Sequence, residues 1–139
     1  MKIKTSDGSK LFDSVQCTYN ILEQKPGDAL LEAHNSGMDV IIKEGMANGR
    51  VFVNEKVKEV SKSSGYSIDE LALAFILSQP FQGRVLSGAV TSEQLVSNMK
   101  ALELSKKLLT DEKELLDVMK GCCMESETYW KDRSALAWN

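Results

Sequence analysis

An α/β fold with a small parallel sheet is what this sequence predicts, on three observations. Short β-branched runs alternate with helical periodicity in the order strand, helix, strand, helix pair, strand, helix. The connections between successive strands are long enough to hold helices, as parallel neighbours require. The 139 residues are 42% hydrophobic and 27% charged, which suits one soluble globular unit spanning residues 1–139 with an ordinary core. Alternation alone fits both a partial β/α barrel and an open doubly wound sheet.

The first strand is expected in FDSVQCTYNIL, from Phe12 to Leu22, where polar Ser14, Gln16 and Thr18 alternate with larger side chains. Pro26 then suits a first helical turn. Ala29, Leu30 and Ala33 form an apolar stripe, and Gly37 follows as a left-handed stop. MDVIIKE, Met38 to Glu44, is a continuous apolar run ending in charge, as expected of a strand buried on both faces. GMANGRVF carries Gly45, Asn48 and Gly49 and reads as a loop beyond that strand's end.

Asn54 caps a helix with Val57 and Val60 at helical spacing, stopped by Gly65. Ser67-x-x-Glu70 has the form of a capping box and opens an apolar helix that ends before Pro80. RVLSGA, Arg84 to Ala89, is a third strand. Thr91-x-x-Gln94 is a second capping box, starting the helix SEQLVSNMKALEL. Thr110 or Asp111 can cap DEKELLDVMKG, and the tail SETYWKDRSALAWN reads as a packed amphipathic end with Trp130 and Trp138.

Several function classes drop out. The net charge of -3 comes from interspersed Lys, Arg, Asp and Glu, without the basic stripe of a nucleic-acid binder. The longest apolar run falls far short of the ~20 residues that cross a bilayer, and MKIKTSDGSK has no apolar signal region, so a cytoplasmic location and no membrane association are expected. Cys17, Cys122 and Cys123 form no disulfide framework, and the only histidine, His34, lacks further metal ligands nearby in sequence. No metal site is expected.

Parallel α/β sheets place function at the strands' C-terminal ends, here Asn20 to Glu23, Lys43 to Met46 and Ser87 to Val90. At the third end, small Ser87, Gly88 and Ala89 run into a helix N-terminus. Such a turn suits a phosphate, and equally any tight strand-to-helix connection. Gln16, on a strand suited to burial, needs hydrogen-bond partners from the fold or from a ligand amide. Lys43 can hold an anion or pair with Glu44 or another strand's carboxylate, but a solvated charge at a strand end is the more common case. Tyr19 suits a core aromatic with a satisfied hydroxyl better than a catalytic acid.

The blocks FDSVQCTYNILE, GMDVIIKEGMANGR, DELALAFILSQPF and VLSGAVTSEQLVSN, in this order and spacing, closely resemble the C-terminal portion of the aldo-keto reductase family. The resemblance runs from about Leu11 to Leu104 and more loosely into the tail. It implies a partial (β/α)8 TIM barrel comprising about the last three β/α units plus C-terminal helices. It also implies a parent activity of NADPH-dependent carbonyl reduction. By position, Gln16 matches the glutamine that hydrogen-bonds the nicotinamide carboxamide, and Lys43 falls where many members stack a tyrosine on that ring. Ser87, Gly88 and Ala89 match the loop along the adenosine phosphate. Gln94 falls where NADPH-preferring members often carry an arginine for the 2′-phosphate, and Asn98 matches the asparagine at the adenine.

None of these residues matches the family's aspartate, tyrosine, lysine and histidine tetrad, and a full barrel needs about 250 residues. The resemblance therefore implies a fragment that contacts NADP without reducing carbonyls, or a non-catalytic nucleotide-binding or interaction module. A sheet cut from a barrel exposes strand edges and inward apolar faces, so a homo-oligomer covering the open face is expected.

Overall fold

The computed structural model describes residues 4–137; Trp138 lies outside the described residues. The sheet has three parallel strands in the order β1-β2-β3: β1 (Ser14–Thr18), β2 (Asp39–Lys43) and β3 (Arg84–Val85). Helix α1 (Gly27–Asn35) connects β1 to β2, and α2 (Glu55–Ser64) and α3 (Ile68–Leu77) connect β2 to β3. Four helices follow: α4 (Ser92–Met99), α5 (Ala101–Thr110), α6 (Lys113–Lys120) and α7 (Ser126–Ser134). The chain is thus α/β with a small parallel sheet.

Register fixes two sheet faces of different character. Gln16 pairs with Ile41, which pairs with Arg84, so these three share one face with Ser14, Asp39, Thr18 and Lys43. Val15, Cys17, Val40, Ile42 and Val85 share the other. Val40 and Ile42 are buried in the core, with Val15, Cys17 and Val85 packed against it, while Gln16, Asp39, Lys43 and Arg84 are exposed. Burial of β2 on both faces, and an exposed apolar inner face, are therefore both corrected. The apolar alternates of each strand turn to the helices, and the open face is polar except for half-buried Ile41, with Arg84 and Asp39 paired across it at 3.4 Å. Gln16 is exposed, so its amide is free to meet solvent rather than obliged to find a buried partner.

The strands are shorter than the apolar runs suggest, for local reasons. β1 stops before Asn20, whose side-chain oxygen accepts from the amides of Leu22 and Glu23 at 3.0 Å each and folds the chain into a turn. β3 stops because the last ladder bond runs from the Leu86 amide to the Ile42 carbonyl at 2.9 Å, and Gly88 then turns into the left-handed region at φ 67°. Gly83 allows β3 to approach: a Cβ there would stand 2.7 Å from Ile42 Cγ1.

The helix boundaries follow from their caps. Asn54 accepts from the Val57 amide at 3.2 Å, and Gly65 ends α2 at φ 79°, as its sequence signals require. Thr91 likewise accepts from the Gln94 amide at 3.2 Å. Ser67 stands at the N-terminus of α3, as its capping box predicts, but its hydroxyl makes no cap hydrogen bond. Nor do Thr110 and Asp111 cap the next helix. Thr110 ends α5 with its hydroxyl donating to the Lys106 carbonyl, and Glu112 stands at the N-terminus of α6 while accepting from Tyr66 Oη at 2.6 Å. The single helix expected after Thr91 divides at Lys100. Beyond the break, Ala101, Leu104 and Leu108 are buried, whereas α4 buries no side chain.

The core centres on α3, where Leu71 to Ile76 are all buried. Tyr19 joins it, with its ring stacked on Phe75 and edge-on to Phe81, and its hydroxyl reaches Gln79 Oε1 at 3.2 Å. Burial pushes the Tyr19 phenol well above its usual range, which fits a structural residue. No helix among the described residues is long and apolar enough to cross a membrane.

Candidate functional site

Two clusters form beyond the strand ends. The first joins β1 and β2 to α7. Asn20 donates to the Glu44 carbonyl at 3.0 Å and to Tyr129 Oη at 2.9 Å. Arg50 donates from Nη1 to the Tyr129 carbonyl at 2.9 Å, and its guanidinium lies 3.9 Å from the Tyr129 ring centroid. Arg133 on α7 pairs with Glu44 at 3.4 Å, so Glu44 serves α7, and Lys43 is exposed at its strand end. Buried Glu23 accepts from Ser126 Oγ at 2.7 Å and from the Lys25 amide at 3.0 Å. These bonds seat the tail, although Glu44 Oε2 and Arg50 Nη2 are buried there without a hydrogen-bond partner; Tyr129 is fully buried, while Trp130 is 45% exposed.

The second cluster surrounds a cavity of about 580 Å³ between the β3–α4 turn, the start of α3 and the segment after β2. Ser87, Gly88, Ala89, Gln94 and Asn98 all line it. A Cβ at Gly88 would meet nothing within 4 Å, so the backbone here faces open space that a ligand can enter. Asn98, with its amide oriented to satisfy both ends, donates to Asp69 Oδ2 and to the Gln94 carbonyl at 3.2 Å each and accepts from Ser87 Oγ at 3.0 Å. This bridge holds the turn after β3 against the start of α3. Gln94 reaches back past the cap residue to accept from the Val90 amide at 2.9 Å, which ties the turn to the first turn of α4.

Met46, Gly49, Phe52, Asp69, Glu93 and Ser97 complete the wall. The glycine-rich loop signalled the first two of these. Phe52 is placed there by two short 3-10 turns that meet at left-handed Asn48 and Gly49. Asp69 had no sequence signal, because its neighbours across the cavity are far away in the chain.

The cavity's charge is negative. Burial raises the Asp69 carboxyl, but hydrogen bonds from Ser97, Ser67 and the backbone outweigh it and hold the group below its ordinary value. A backbone amide at the α4 N-terminus and the Thr91 hydroxyl hold Glu93 low as well. Neither Lys nor Arg lines the cavity.

Gln16 and Lys43 are not part of this wall. Both side chains belong to the open sheet face, as the β1–β2 register dictates. His34 sits half-buried in the last turn of α1, and among the described residues no group of three or more His, Cys, Asp or Glu side chains is placed to hold a metal ion.

Comparison with known proteins follows the same division. The Aldo/keto reductase family profile matches residues 47–117, just over half of the chain. That stretch contains all five cavity residues expected from sequence and excludes Gln16 and Lys43. No curated protein and no solved structure matches the chain. The β3–α4 turn and the cavity wall, apart from Met46, thus lie within the matched stretch, and by that match the chain belongs to the aldo/keto reductase family.

Proposed function

We propose that this chain is the nucleotide-binding portion of an aldo/keto reductase, with its three parallel strands forming the last part of a (β/α)8 barrel. The observation that carries the reading is the convergence of Ser87, Gly88, Ala89, Gln94 and Asn98 on one cavity of about 580 Å³. Its volume falls within the range of small-molecule and cofactor sites. Ser87 to Ala89 bring backbone close to the bound dinucleotide at an α-helix N-terminus, where a diphosphate is favoured. Asn98 holds the turn in place through its bonds to Asp69, Gln94 and Ser87, and Phe52 offers an aromatic face to the base.

A bound nicotinamide cofactor supplies hydride to an aldehyde or ketone. The part of that work assigned to these 139 residues is binding and orientation. Gln16 and Lys43 lie toward the nicotinamide end on the open sheet face, and the proton-donating group belongs outside this set of residues. The chain by itself is thus a binding unit without reductase turnover, acting as one domain over residues 1–139 in the cytoplasm.

Calorimetric titration with NAD, NADP and ADP-ribose tests the reading. Saturable binding of at least one of them, weakened about tenfold or more by Asn98→Ala, is the expected result. Absence of binding by all three, or carbonyl-dependent oxidation of the reduced cofactor by the purified chain, contradicts it.

Self-association belongs to the same proposal, although the surface differs from the one expected. The open sheet face is largely polar, whereas Leu86, Leu95, Met99 and Leu102 are exposed beside the free edge of β3. A second copy pairing along this edge would cover them. Sedimentation that shows only monomer at tens of micromolar contradicts this part.

A further inference from the structure

We infer that the cavity beside α4 selects a dinucleotide with a free ribose 2′-hydroxyl, of the NAD class, and excludes one carrying a 2′-phosphate. The inference rests on the nucleotide-binding reading above and adds the identity of the cofactor. Three observations carry it. Asp69 and Glu93 bring two carboxylates to a wall that includes neither Lys nor Arg. A carboxylate accepts a hydrogen bond from a ribose hydroxyl, but it repels a phosphate that adds between one and two further negative charges. Asp69 is moreover fixed in place by the Asn98 amide at 3.2 Å, so it is not free to swing away.

Gln94 contributes the third observation. Its side-chain oxygen is occupied by the Val90 amide at 2.9 Å, and a neutral amide so engaged cannot replace the guanidinium that would clamp a 2′-phosphate in a bidentate grip. The helix N-terminus of α4 remains able to favour an anion, but a diphosphate common to both cofactors uses it equally. Discrimination therefore falls on the carboxylates.

The test is titration of the full chain with NAD and NADP, followed by calorimetry or intrinsic fluorescence and needing no turnover. The expected result is NAD binding at least tenfold tighter than NADP, about 1.4 kcal/mol. The double variant Asp69→Asn, Glu93→Gln brings the two affinities to within about threefold, chiefly by strengthening NADP. Phe52→Ala weakens both alike, since both cofactors present the same base.

NADP binding as tight as NAD, or tighter, overturns the selectivity and leaves the nucleotide reading standing. An unchanged ratio in the double variant overturns the role of the carboxylates. Binding of neither cofactor overturns the nucleotide reading, and this inference with it.

Discussion

Helices α7 and α4 both lie beyond the strand ends, yet they use their side chains in opposite ways. α7 buries Tyr129 completely and is tied down by Asn20, Arg50, Glu44 and Glu23 through bonds that join residues as much as 109 positions apart. α4 buries no side chain, keeps Leu95, Val96 and Met99 exposed, and is held mainly by its own cap and by the Asn98 bridge. One side of the molecule has turned most of its polar groups on one another, leaving only Glu44 Oε2 and Arg50 Nη2 of that cluster unpartnered. The other leaves backbone amides and two carboxylates around an open cavity. Binding sites come from such less consolidated regions, because a ligand needs groups that the fold has not already used.

Removal of the closed side's central group should have the largest effect. Asn20→Ala deletes four hydrogen bonds, two of them to backbone amides that remain buried, and is expected to cost about 3–5 kcal/mol in urea unfolding. A loss below 1 kcal/mol would show that α7 is only loosely seated. Arg50→Ala comes next. It removes the contact with the Tyr129 ring and two bonds to carbonyls, of Ala47 and Tyr129, and is expected to cost about 2 kcal/mol.

On the open side, single changes should cost less. Thr91→Ala removes a helix cap and is expected to lower stability by about 1 kcal/mol, with cooperative unfolding retained. A cost as large as that of Asn20→Ala would erase the contrast between the two sides.

A smaller, pH-dependent effect is expected from Asp69. Its carboxyl titrates below the ordinary value in the folded chain, so between the two values the unfolded state binds more protons and stability rises with pH. The contribution is complete above about pH 4 and is lost as pH falls through the folded value. Urea midpoints at pH 5 and pH 3 should therefore differ less in Asp69→Asn than in the parent chain. An equal or larger difference in the variant contradicts the assignment.

The same contrast governs what could be read from sequence. The open site is made of consecutive residues: Ser87 to Ala89 and the Thr91-x-x-Gln94 cap announce a strand-to-helix turn within a dozen positions, and the structure places that turn at the cavity. The closed cluster left no such trace. Asn20, Arg50 and Tyr129 each look unremarkable among their neighbours, and only the fold brings them together.

Face assignment was the other gap. Alternation around Gln16 shows that a strand has two sides, but which side meets helices depends on what the rest of the chain supplies. Helix interiors were legible from periodicity, as with Val57 and Val60. The start of α3 after Ser67 was legible too, whereas the break at Lys100 and the start of α6 at Glu112 were not.

Hydrogen exchange with and without saturating NAD reports both sides of the molecule in one experiment. Slow exchange is expected around Asn20 and Tyr129 in either state, together with NAD-dependent protection confined to 46–52, the start of α3 and 87–98. Protection that spreads chiefly over 126–134, or none at the turn after β3, would contradict it.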